Sequence, residues 1–212
     1  ALAAAAAEPA DGVERSRTAL LQARLLEAQG RRSEAAALYA RLARAPTEAV
    51  AAPALLRLTQ LQLEAGTVQP AAAARTFGAL RWRWRGDETE VEAARALGRV
   101  ELAQGRWREA LGAYRAIARG LPDTPAATAL LADQAAAFRQ LFLEGGADGL
   151  QPIQALGLFY DFRDQTPIGA DGDLMVRRLA RRLVDVDLLP QAAELRAYQV
   201  QNRLDGVAGA QV

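Results

Sequence analysis

Arg95 and Arg99 stand four residues apart in this chain, and so do Arg177 and Arg181. On a helix that spacing sets like charges on one face, which costs roughly a few tenths of a kcal/mol per pair. A guanidinium offers a planar fork that grips a carboxylate through two hydrogen bonds. The chemistry open to such pairs is electrostatic capture of an acidic or carboxylate-ended segment. The plainer alternative is a solvated face, in which Glu92 pairs with Arg95, Asp173 with Arg177 and Asp185 with Arg181.

Little else is equipped for bond-making chemistry. The chain has no histidine and no cysteine, which removes the commonest general base, thiolate nucleophiles and zinc–thiolate sites. Its serines are Ser16 and Ser33, neither within Gly-x-Ser-x-Gly, and a phosphate loop needs a lysine. All 26 basic residues are arginine. Asp171-Gly172-Asp173 lacks the remaining ligands of a calcium loop, and Asp171 reads as a helix cap. We expect no cofactor, no metal and no enzymatic activity.

The net charge of +1 supplies no field to draw in nucleic acid or an acidic membrane. The longest uncharged run, 149–160, is too short to span a bilayer. Arginine in place of lysine, with abundant alanine, fits a GC-rich bacterial genome.

The aromatic residues read as packing. Arg81-Trp82-Arg83-Trp84-Arg85 alternates, but residues two apart on a helix point to nearly opposite sides, so the two rings form no single stacking platform. Both tryptophans are expected to cover the end of a helix pair while the arginines reach water. Phe138, Phe142, Phe159, Tyr160 and Phe162 recur at helical spacing, as a core does.

The elements that position these residues follow from a repeated pattern. The stretch from Leu97 to Pro122 carries Gly98, Gly105, Ala110, Tyr114 and Ile117. Two helices approach closely where one is small and the other large, so Gly98 and Ala110 are expected to face each other, with Leu97, Tyr114 and Ile117 filling the space left. Gly105 ends the first helix, and Pro122 closes the second. Upstream, Gly30, Ala35, Tyr39, Leu42 and Pro46 repeat this order. Gly66, Ala73, Phe77 and Leu80 lie between. Downstream, Ala155, Phe159, Phe162 and Pro167 give a fourth copy. Leu179, Ala180, Leu183 and Ala192 give a fifth, with Asp187-Leu188-Leu189 where glycine is expected and Arg196 in the aromatic place.

This spacing resembles the tetratricopeptide repeat, a helix–turn–helix unit of about 34 residues. The resemblance implies an all-α fold, a right-handed α-solenoid of antiparallel hairpins whose concave face is lined by the first helix of each repeat. The hairpins are placed at about 13–46, 49–85, 88–122, 125–166 and 171–204, within a solenoid over 13–205. Residues 1–12 read as a low-complexity, disordered lead-in, and 206–212 as the opening of a further helix.

By the same resemblance, the groove positions are Arg24, Gln60, Arg95, Arg99, Arg177 and Arg181. The family's carboxylate clamp uses lysine and asparagine at such places; this chain has arginine. The implied function is a non-catalytic scaffold that holds a protein or peptide, acidic in character, with no nucleic acid and no membrane span. The alternatives are a structural segment of a longer assembly, or an accessory superhelix of an enzyme whose catalytic domain lies elsewhere. End-to-end self-association is also expected, through an apolar face around Leu195 and Tyr198.

Overall fold

The computed structural model describes residues 2–85, 87–118 and 124–203, with side chains described over 12–85, 87–118 and 124–201. Pro122 and the segment 206–212 lie outside the described residues. The described helices are α1 (Leu2–Ala28), α2 (Arg32–Leu42), α3 (Glu48–Glu64), α4 (Pro70–Arg83), α5 (Glu88–Ala103), α6 (Trp107–Ala118), α7 (Pro125–Leu143), α8 (Pro152–Asp161), α9 (Ala170–Val184) and α10 (Leu189–Arg203). A single 3₁₀ turn, Arg163–Gln165, follows α8. Among the described residues there is no strand. The helix α1 starts ahead of residue 13, where the sequence pattern places it. Alanine, the strongest helix former, fills that stretch.

The helices pack as consecutive hairpins. The second helix of one hairpin lies on the first helix of the next, and the first helices also touch in succession. The tight turns explain why. Gly30, Gly66 and Gly105 all adopt left-handed backbone, with φ of 76°, 67° and 70°. Each turn closes with the same two hydrogen bonds. In the third hairpin, Gly105 N–H donates to Leu102 O at 2.9 Å and Arg106 N–H to Glu101 O at 2.9 Å. This pairing satisfies carbonyls that a helix end would otherwise leave open. The fifth hairpin makes the same turn without glycine. Asp187 takes φ 63°, and Leu188 N–H still reaches Leu183 O at 2.8 Å.

The fourth hairpin differs. Its turn is longer, with Ala147 N–H donating to Leu141 O at 2.8 Å. The backbones of α7 and α8 stay farther apart than those of the other pairs. Phenyl rings fill the gap: Phe138 and Phe142 have centroids 4.7 Å apart, and Phe142 meets Phe159 edge-on at 5.8 Å. The aromatic residues are core, and Phe138 and Phe159 are fully buried.

The buried apolar residues divide into three clusters along the array. One holds Leu20, Tyr39 and Val50, the next Phe77, Leu80 and Val100, and the largest runs from Val91 to Leu195.

A side chain on Gly98 would first meet the ring of Tyr114. Three local expectations change. Trp84 packs against the second cluster, but Trp82 is 75% exposed, with Arg85 stacked over it at 5.1 Å. The reason is that α4 ends at Arg83 and Trp84 is extended, so the helical spacing stops between the two rings. Asp171 is not the cap of α9: Gly169, at φ 86°, is, and the Asp171 carboxylate accepts from Arg139. Finally, Leu195 is fully buried and Tyr198 is packed on the largest cluster, so they form no exposed face.

Candidate functional site

The first helices α1, α3, α5, α7 and α9 present the polar groups of interest. Between α1, α3 and α5 lies a cavity of about 270 Å3. Arg24 and Gln60 both line it, with Arg57, Glu88 and Glu92 beside them and Pro53 and Leu56 among its apolar lining. Arg24 is exposed. Arg57 is held in place from two sides: its guanidinium donates to Glu27 and to Gln60. Tyr39, buried on α2, donates its hydroxyl to the same Glu27 at 3.0 Å. Burial pushes the Tyr39 phenol up in pKa, and the nearby charge of Arg24 opposes the shift. The first hairpin thus fixes the cation of the second before anything binds.

Arg95 and Arg99 lie further along, on α5, and meet an acid from the next hairpin. Arg95 Nε donates to Asp133 Oδ2 at 2.7 Å and its Nη1 to Glu92 Oε1 at 2.7 Å. Arg99 Nη2 stands 3.6 Å from the same Asp133 oxygen. The hydrogen bond that Arg95 donates to Asp133 is the largest influence raising its pKa and holding it charged. The carboxylate that these two arginines grip is therefore an internal one, on α7. The pairing of Glu92 with Arg95 read from the sequence is present; Asp133 is the partner that the sequence reading missed. Its signal is faint, because it sits in a different hairpin.

Arg177 and Arg181 are exposed on α9. Arg177 lies close enough to Arg196 to help lower the latter's pKa, though burial of Arg196 is the larger cause. Arg181 lines a second cavity, of about 570 Å3, between the end of α7, the turn after it and α9. Arg178 and Arg182 line it too. Both are occupied with backbone: Arg178 donates to Leu143 O at 2.6 Å and Arg182 to Leu150 O at 2.8 Å. Cations there complement the open carbonyls at the end of α7. Glu144, Asp148 and Asp185 share the lining, so the cavity carries both signs.

The six groove candidates thus fall into three places. Arg24 and Gln60 share one cavity, Arg95 and Arg99 share one internal carboxylate, and Arg181 lines a separate cavity with Arg177 nearby on the same helix. Among the described residues, no group of three or more acidic, histidine or cysteine side chains is placed to hold a metal ion. No described helix is long and apolar enough to cross a membrane.

No protein-family model matches the chain, and no curated protein matches it. Among solved structures it is similar to the nearly identical TPR-like repeats of a kinesin-light-chain protein from Podosopora anserina. That likeness has a TM-score of 0.46 and 20% identity, covering 90% of this chain and 98% of that one. A single-substitution variant of the same repeats also gives 0.46 at 20% identity, covering 88% and 95%. On its own geometry, with successive hairpins closed by left-handed turns and packed second helix onto first, the chain is an all-α, tetratricopeptide-like helical array.

Proposed function

We propose that the chain is a non-catalytic interaction module that holds an extended segment of a partner protein along the face made by its first helices. The cavity between α1, α3 and α5 supports this reading most directly. It gathers Arg24, Gln60 and Arg57 from two successive hairpins, and Arg57 is pre-set by Glu27 and Gln60. Groups ordered in advance lose little entropy on binding. Arg24 supplies a fork for a carboxylate. Glu88 and Glu92 on the opposite wall favour a donor. An acidic segment carrying a hydrogen-bond donor fits both sides.

The test is capture of partners on immobilised protein, comparing the wild type with Arg24→Glu and Gln60→Ala. Reversal of Arg24 is expected to reduce capture at least tenfold while leaving the unfolding midpoint unchanged. Capture by the wild type is expected to weaken as salt is added. Capture that is insensitive to both changes would move the binding surface elsewhere.

A further inference from the structure

The cavity of about 570 Å3 between the end of α7, the turn after it and α9 shares no residue with the proposed partner cavity. Its volume is that of a small-molecule site. Buried Leu141, Phe142 and Leu179 supply its apolar lining.

The turn beside it is fixed by its neighbours. Gly146 sits against Trp107, whose ring stands 2.6 Å from where a Cβ would be. Ala147 N–H donates to Leu141 O at 2.8 Å, and Asp148 N–H to Gly145 O at 2.9 Å. Arg178 and Arg182, one turn apart on α9, hold the two ends of the turn through Leu143 O and Leu150 O. The Asp148 carboxylate lies against Gly145, its Oδ2 3.0 Å from where a Cβ on that glycine would stand. Gly145 itself is left-handed, with φ 89°.

The charges of the cavity do not answer one another. Arg178, Arg181 and Arg182 line it with Glu144, Asp148 and Asp185. Among the described residues, no salt bridge joins any of these arginines to any of these acids. Arg181 and Asp185 stand one turn apart on α9, a spacing at which opposite charges usually meet, and they do not. Arg181 is exposed and donates no hydrogen bond among the described residues. Arg178 and Arg182 each commit one N–H group to a neutral carbonyl; a guanidinium has five.

Opposite charges held apart in a fixed frame select among ligands. A simple anion would be set beside the carboxylates, and a simple cation beside the guanidiniums; both juxtapositions are costly. A ligand carrying both signs matches both sets, and a site ordered in advance loses little entropy on binding it. We propose that this cavity binds a small zwitterion, its carboxylate on Arg181 and its ammonium group on Asp148. A free amino acid and a short peptide with open ends share that chemistry.

The experiment is a thermal-shift screen of the full chain against the common L-amino acids and tri-alanine, followed by calorimetric titration. At least one zwitterion is expected to raise the unfolding midpoint. Its N-acetyl and C-amide derivatives are each expected to bind at least tenfold more weakly. Arg181→Gln is expected to weaken the free zwitterion at least tenfold and the C-amide little; Asp148→Asn is expected to do the same with the N-acetyl form as the insensitive ligand. Tighter binding of a single amino acid than of tri-alanine identifies the free amino acid as the source, and the reverse order the peptide. Circular dichroism checks that the variants keep their helix content, and the blocked derivatives test the wild type without any substitution. A screen in which no zwitterion shifts the midpoint would overturn the proposal. So would affinity that survives blocking of either end, or that is unchanged in a folded Arg181→Gln.

Discussion

The tip of the Tyr114 ring fills the space beside Gly98. A Cβ built on the glycine would stand 2.2 Å from the ring's Cε1 and 2.6 Å from its hydroxyl oxygen. The phenol ring, 1% exposed, occupies the place a side chain on α5 would take. Gly98→Ala therefore forces the ring or the helix to move. Alanine gains about 1 kcal/mol of helix propensity over glycine, but overpacking of this kind costs roughly 1–3 kcal/mol. We expect a net loss of stability in urea unfolding, and a smaller loss when Tyr114→Leu is added. Equal losses in both backgrounds would show that the ring is not what the new methyl meets.

Asp187 holds a left-handed conformation, φ 63°, at the position where three other hairpins have glycine. A side chain there costs roughly 1 kcal/mol relative to glycine. Asp187→Gly is expected to stabilise the protein by about 0.5–1 kcal/mol, and Asp187→Ala to leave it unchanged or weaker. A destabilising glycine would mean that the aspartate makes a contribution beyond the turn.

The charge of Arg95 is built into the fold, unlike that of Arg24. Arg95→Glu would set a third carboxylate beside Glu92 and Asp133. We expect it to destabilise the protein by about 1–3 kcal/mol, and Asp133→Asn to cost about 1 kcal/mol. Arg99, more exposed and with its nearest Nη2 3.6 Å from Asp133, is expected to tolerate reversal better. Thermal unfolding of the three variants decides the order; Arg95→Glu matching Arg99→Glu would remove the distinction.

Burial, with Asp133 adding to it and Arg99 and Arg95 opposing it, pushes the Tyr114 phenol up to about 12. An unfolded tyrosine titrates near about 10. The folded state thus keeps its proton longer, so this contribution is complete below about pH 10 and is lost as pH rises to about 12. The total loss is about 2–3 kcal/mol. Urea midpoints measured from pH 8 to 12 are expected to fall, and less steeply in Tyr114→Phe. Tyr39 and Tyr160, also shifted up by burial, leave part of the slope in that variant. Identical slopes in both proteins would exclude Tyr114 as a source.

The turns were legible in the sequence wherever a glycine marks a left-handed residue, as at Gly30, Gly66 and Gly105. Asp187 hid the same turn, because a side chain there conceals the backbone that carries it. The third seam was legible in its sizes: Gly98 is small, and Tyr114 is the large residue that takes the place a side chain there would fill. At the candidate site, spacing along a helix exposed the arginine pairs. Asp133 belongs to another hairpin, and its meeting with Arg95 depends on how the hairpins stack. The two tryptophans part company because α4 stops at Arg83, between them.

The division of the interior into three clusters has a consequence for how the molecule comes apart. The described helices pack chiefly on their neighbours in sequence, so stability is close to a sum of local contributions rather than one shared quantity. Amide exchange then becomes a gradient. The cluster around Leu20 and Val50 is small and built largely of alanine and leucine, and it opens at lower free energy than the ring-filled cluster around Phe138 and Phe159. Unfolding is expected to start from the N-terminal side, with the phenyl-rich hairpin the last to release its amides. Denaturation monitored at Trp84 and at Trp107 is expected to follow two different curves.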